Sequence, residues 1–259
     1  MIDQKIINAI KSLISDIKKE NDIVNEIIRD DVFQILQDYS TVLYYPLDGE
    51  EIDGCHLEKT VNAETEQFVF INTVNTRERQ AFSAAHELGH MWDVYERVQK
   101  LVPGLDMEEE DVINRFAAEL MMPEVYFESA IETQLKRMDY KGPKIDSVTL
   151  VKLIAFLMNY FFVPFKSVVY RFNEIGRLDP KYDDSVLEYK DSDLLKEIIN
   201  AEQYTRLGIV NRLKSMDNIQ EYLMEAENNG LISEKKAQNI RKEFEIKAVN
   251  KTIDLNVEF

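Results

Sequence analysis

Cysteine is all but absent from this chain: Cys55 stands alone in 259 residues, so no intrachain disulfide can staple the fold. With no disulfide, and an N-terminus that alternates charged and apolar residues unlike a signal peptide, the expectation is a cytoplasmic protein. Glycine (8) and proline (6) are scarce, which excludes collagen-like and low-complexity chains. Long apolar runs are missing too. The longest, Leu153 to Phe165, is interrupted by Asn159 and Pro164 and is too short to span a bilayer. Basic residues are outnumbered 31 to 48, for a net charge of -17, so the overall field opposes the phosphate neutralisation on which direct DNA binding depends. Histidine is rarer still. There are three, and two of them fall together.

Those two lie in His86-Glu87-Leu88-Gly89-His90, inside the run from Arg79 to Trp92. On a helix, histidines four residues apart share one face, one turn above the other, and can converge on a single ion. An H-E-x-x-H helix therefore reads as a zinc site. Glu87, beside the first ligand, is placed to act as a base on a water activated by the metal. Asn75 and Glu78 read as a capping box, Ala81, Ala84 and Ala85 favour helix, and Pro103-Gly104 reads as a stop.

A third ligand stands twenty residues on. Glu110 opens a second helical run through Met122, with Asp106 and Glu109 as cap and capping partner, and Asn114 falls one turn later on the same face. His86, His90 and Glu110 make a set that leaves a tetrahedral position open, as a catalytic zinc requires. Manganese, iron or cobalt would accept the same donors. The amide oxygen of Asn114 suits a supporting task, accepting the free N–H of a ligating histidine.

Three stretches together, Ile71-Asn72, Arg79 to His90, and Asn114 to Pro123, resemble the ImmA/IrrE family of metallopeptidases, over about residues 30–178. That family typically shows an Ile/Val-Asn pair ending a strand, then R-x-x-F-T/S-x-A-H-E-L-G-H, then E-x-x-x-N-x-F-A-A-E-L-L-M-P. Val112-Ile113 departs from it, standing where small or polar residues are commoner. The resemblance implies His86, His90 and Glu110 as ligands and Glu87 as catalytic base. It implies a substrate among partner helix-turn-helix repressors or antitoxins, with roles in stress responses or induction of mobile genetic elements.

Around these motifs, residues 2–39 carry apolar positions at helical spacing, enough for two or three helices broken near 20–22 and 29–31. Thr41–Leu47, Gly54–Thr60 and Gln67–Asn72 read as strands of a small antiparallel sheet. Such an edge strand holds an extended peptide by strand addition in zinc peptidases. Cys55 reads as buried, and His56, Tyr95 and Tyr126 stand as oxyanion candidates between which the sequence does not choose. Glu124–Met138, Ser147–Phe162 and Phe165–Glu174 read as helices. The last two resemble the family's helix-turn-helix-like segment, with Lys166, Arg171 and Asn173 as candidate DNA contacts against a packing role. Asp191–Met216, Ile219–Asn228 and Ser233–Val249 read as further helices, and Thr252–Phe259 as a short strand.

The expected architecture is α+β: a mainly helical, zincin-like (gluzincin-type) domain over residues 1–178 that includes a helix-turn-helix-like segment at about 145–178. A mainly helical region, 179–259, follows without an assigned role. The expected function is a zinc-dependent endopeptidase. Its alternatives are a non-proteolytic antirepressor that sequesters its DNA-binding partner, and a DNA-binding regulator in which zinc is structural. Oligomeric state is not legible.

Overall fold

A computed structural model of the chain describes residues 4–49, 52–61, 64–142 and 145–246. Two helices, α1 (Gln4–Glu20) and α2 (Val32–Tyr39), precede strand β1 (Thr41–Tyr45), a 3₁₀ turn at Arg29–Asp31 joining them. Strands β2 (Gly54–Val61) and β3 (Glu64–Asn72) follow, then α3 (Arg77–Met91), α4 (Val94–Leu101), α5 (Glu109–Met121) and α6 (Glu124–Arg137). Helices α7 (Ser147–Phe161) and α8 (Phe165–Glu174) form a sharp hairpin, the first of the three residues between them, Phe162, turning left-handed at φ +58°. Then come α9 (Asp183–Leu187), α10 (Asp193–Ala201), the two-residue strand β4 (Ser215–Met216), α11 (Ile219–Asn228) and α12 (Glu234–Glu243). The fold is the mainly helical α+β class that the sequence implies. Among the described residues no single helix is long and apolar enough to cross a membrane. The expected strand at 252–259, and the last residues of the expected helix 233–249, lie outside the described residues.

The sheet runs β2-β3-β1-β4 and is mixed, where a wholly antiparallel one was expected. β2 and β3 pair antiparallel, but β1 runs parallel to β3, with Val42 opposite Val69 and Tyr44 opposite Ile71. Those four side chains are buried and point to the face covered by α2 and α3. Alternation along a strand defines which residues face the core, not which strand lies alongside. Here the chain crosses from β1 to the far edge before returning between the two.

Helix α3 lies at the centre of the molecule, packed on β2 and β3, on α5 and on α2. Ala81, Ala84, Ala85 and Leu88 are fully buried on it, the alanines allowing close approach. Around it, Ile113, Phe116 and Leu120 of α5, Ile17 of α1 and Phe127 of α6 complete one continuous core. Gly89 marks the tightest point: a Cβ there would meet Ile113 at 3.0 Å and Phe116 at 3.1 Å. Three helix limits differ from expectation. Thr76 caps α3 without a side-chain bond and Asn75 instead donates to Asp53 at 2.8 Å. Likewise Glu108, not Asp106, caps α5, and α3 stops at Met91, where Asp93 turns left-handed well before Pro103.

Asp191–Met216 is not one helix. α10 ends at Ala201, Gln203 and Gly208 take positive φ, and the chain becomes a strap over the start of α3. Gly208 N–H donates to the carboxylate of Glu78, Arg77 N–H to Ile209 O at 2.8 Å, and Thr73 Oγ1 to Leu213 O at 2.8 Å. β4 then pairs with β1. The buried polar residues Glu78 and Gln80 of α3 find partners in this strap, which is why they are tolerated there.

A second polar cluster ties α8 to α5. Arg171 is 4% exposed and donates to Met122 O at 3.1 Å, to Glu174 at 2.8 Å and to Glu119. Removing one partner of a buried charge group leaves the others uncompensated. Arg171→Ala is therefore expected to cost about 3–5 kcal/mol of stability by chemical denaturation. Lys141→Ala, which breaks an exposed pair with Asp139, should cost within about 0.5 kcal/mol.

Candidate metal centre

His86 and His90 sit one turn apart on α3, and the first turn of α5 brings Glu110 over them. The two Nε2 atoms are 3.2 Å apart. Glu110 lies 3.2 Å from Nε2 of His86 through one oxygen and 3.5 Å from Nε2 of His90 through the other. Ligands at about 2.0–2.1 Å from a tetrahedral zinc stand roughly 3.3 Å from one another, so this spacing fits such an ion. The three residues form a group able to hold a divalent metal, the site that the sequence pointed to. Glu110 is well exposed, which keeps the far side of the group open.

Both rings are held from behind. Nδ1 of His86 donates to Oδ1 of Asn114 at 3.1 Å, and Nδ1 of His90 lies 3.2 Å from a carboxylate oxygen of Glu109. With the proton on Nδ1 of each ring, both Nε2 lone pairs face inward, the tautomer metal binding needs. Burial is the largest cause lowering the pKa of His86, His90 adds to it, and Glu110 and Asn114 oppose it. The ring is thereby kept neutral. Glu109 entered the sequence reading as a capping partner only. Its role as a support was signalled by nothing but its place one residue before Glu110.

Glu87 lies against the start of β2, lines the same cleft as His86 and Glu110, and is 4% exposed. A Cβ on Gly54 would lie 2.8 Å from its Oε1. Among the described residues it accepts no hydrogen bond, whereas on the same helix Glu78 accepts from Gly208 N–H and the side chains of Gln80 and Ser83 donate to main-chain carbonyls. Burial first, then the charges of Glu110 and Asp53, push its pKa up to about 8. In the metal-free protein it is a protonated, uncommitted carboxyl poised to titrate near neutrality.

An open cleft runs past these residues. Ile52, Gly54 and Phe82 line it together with His86, Glu87 and Glu110, as do Lys166 and Tyr170 of α8. None of His56, Tyr95 and Tyr126 lines it. His56 bonds Gln67 on the neighbouring strand, and Tyr95 faces Met107 O at 3.5 Å. Cys55 is exposed rather than buried, because β2 is an edge strand with one uncovered face. Of the DNA-contact candidates, Arg171 is buried and Asn173 is bonded to Asp183, which leaves only Lys166 accessible.

The Glu87 shift has a direct consequence for stability. Its folded pKa lies above the unfolded value, so its contribution is fully present below about pH 4.5 and is lost as pH rises through about 8. In chelator, melting of wild type relative to Glu87→Gln should therefore fall across that window and then level off. Parallel melting curves would show that the carboxyl is not buried as described.

Residues 40–173 match the model of a peptidase family described as the IrrE N-terminal-like domain. Among curated proteins none matches. The matched stretch is just over half of the chain and contains β1 to β3, the helices that carry His86, Glu87, His90 and Glu110, and all but the last residue of the α7–α8 hairpin. By that match, and with the His, His, Glu group that it encloses, this chain belongs to the IrrE N-terminal-like peptidase family.

Proposed function

We propose that this protein is a zinc-dependent endopeptidase that hydrolyses a peptide bond in a partner transcriptional repressor or antitoxin. The observation that carries the reading is the uncommitted carboxyl of Glu87 beside a convergent His, His, Glu group in an open cleft. A site that only stored a metal would not need a free general base next to it.

When bound, a divalent ion supplies Lewis-acid polarisation of a carbonyl and of a water. The chain's own residues do the rest. His86, His90 and Glu110 hold the ion, and Asn114 and Glu109 fix the histidine rings. Glu87 takes a proton from water at its carboxylate and returns it to the leaving amine. Its elevated pKa suits the second half of that task. A cation within reach favours the charged form and prepares the first half.

The substrate reading rests on shape and charge. β2 ends the sheet, and among the described residues nothing pairs with its outer edge, so an extended peptide can add there by main-chain bonds. A chain of net charge -17 is complementary to a basic, DNA-binding partner. α8, with Arg171 turned inward, serves as a wall of the cleft rather than as a reader of bases.

Incubating the zinc-loaded protein with repressors encoded near it tests this. Glu87→Gln should keep its zinc and lose about 10²–10⁴-fold in cleavage rate. Asn114→Ala should bind zinc about 10–100-fold more weakly in a chelator competition. Cleavage that survives Glu87→Gln would refute the mechanism. Capture of a repressor by both proteins with no fragment formed would establish the antirepressor instead.

A further inference from the structure

Asp53, just before β2, is bound more tightly than a cleft-lining residue requires. Arg79 grips its carboxylate with two parallel contacts, Nη2 to Oδ1 at 2.8 Å and Nε to Oδ2 at 3.0 Å. Nδ2 of Asn75 adds a third donor at 2.8 Å. The backbone is held as well: Asn72 N–H donates to Asp53 O at 2.8 Å, and Nδ2 of Asn72 donates to Ile52 O at 2.9 Å. Residues 52 and 53 are thus tied both to the end of β3 and to the first turn of α3.

Two features make this more than loop closure. Arg79 stands seven residues before His86, two helical turns along the same face, so the grip and the ligands belong to one rigid helix. The next residue, Gly54, is where β2 comes closest to the Glu87 carboxyl: a Cβ there would stand 2.8 Å from Oε1 of Glu87 and 3.0 Å from the carbonyl of Phe70. Both partners of the pair are also about two-fifths exposed in the cleft, where an ion pair adds little to stability.

Resting on the peptidase reading, we propose that Arg79 and Asp53 are positioning residues: their two-pronged ion pair sets the start of the edge strand β2 against the Glu87 carboxyl. The strand that would receive the substrate main chain is thereby registered to the group that moves the proton. Reaction rates depend on such registration steeply, a shift of about 1 Å costing about 100-fold.

The test compares wild type with Arg79→Ala, Arg79→Lys and Asp53→Asn. In the metal-free proteins, hydrogen exchange at the amides of residues 54–60 that face β3 should be about tenfold faster in Arg79→Ala and Asp53→Asn. Zinc affinity should remain that of wild type, since neither residue touches a ligand, and melting temperature should barely move. With zinc-loaded protein and a pool of quenched-fluorescent decapeptides, kcat should fall about 100-fold in Arg79→Ala with KM little changed. Arg79→Lys, which keeps the charge and loses the fork, should fall between. Wild-type exchange in Arg79→Ala overturns the proposal, and so does full-rate cleavage by it. Parallel losses of zinc affinity, melting temperature and kcat would assign Arg79 a general structural role and also overturn it. If wild type itself cleaves neither the pool nor the repressors encoded near it, the peptidase reading fails, and the exchange result alone decides whether the pair holds the strand.

Discussion

The close approach of α3 to α5 governs the rest of the molecule. Two histidines on one helix face supply only two donors. The third must come from another element, at a distance fixed to a few tenths of an ångström. That distance is set beneath the site, where Gly89 lets Ile113 and Phe116 press against the α3 backbone. Leu88, Ile113 and Phe116 are fully buried there, each worth about 1.5–3 kcal/mol of transfer free energy. This packing offsets the cost of desolvating Glu87 and His86, whose pKa values both move against the charged form. Val112-Ile113, the departure from the family pattern, belongs to this contact, since it is Ile113 that fills the space left open by Gly89.

Polar groups on α3 are sorted by task. Glu78 and Gln80, near its start, are satisfied by the strap at 208–211, and Ser83 bonds back to Arg79 O at 3.0 Å. Glu87 alone among its buried polar side chains is left without a hydrogen bond from the described residues. The strap also shows that residues beyond the family match are bound to α3 and its approach, with Arg77 N–H on Ile209 O at 2.8 Å, Arg212 N–H on Thr73 O at 3.1 Å and β4 extending the sheet. The C-terminal region is therefore in direct contact with the helix that carries His86 and His90.

The edge strand is held to the same helix by different chemistry. Asn72 is buried, and its side chain bonds both Leu47 and Ile52, closing the long connection from β1 to β2. The Ile71-Asn72 pair in the sequence thus serves two faces at once: Ile71 fills the core under α3, and Asn72 ties down the loop that delivers Gly54 to Glu87.

What the sequence determined by itself was whatever depends on near neighbours along the chain. His86 and His90 are four residues apart, Glu110 and Asn114 four apart, and helical periodicity places each pair on one face without help from elsewhere. The helices Ile219–Asn228 and Phe165–Glu174 were legible to the residue for the same reason. Only the tertiary structure decided the strand order, the strap that replaced an expected helix, the roles of Asn75 and Glu109, and the burial of Arg171. Each depends on partners far away in sequence: Asn75 left its cap for Asp53, and Glu109 turned to His90. A side chain with two possible partners takes the one that packing brings within 3 Å or so, and local pattern carries no record of that choice.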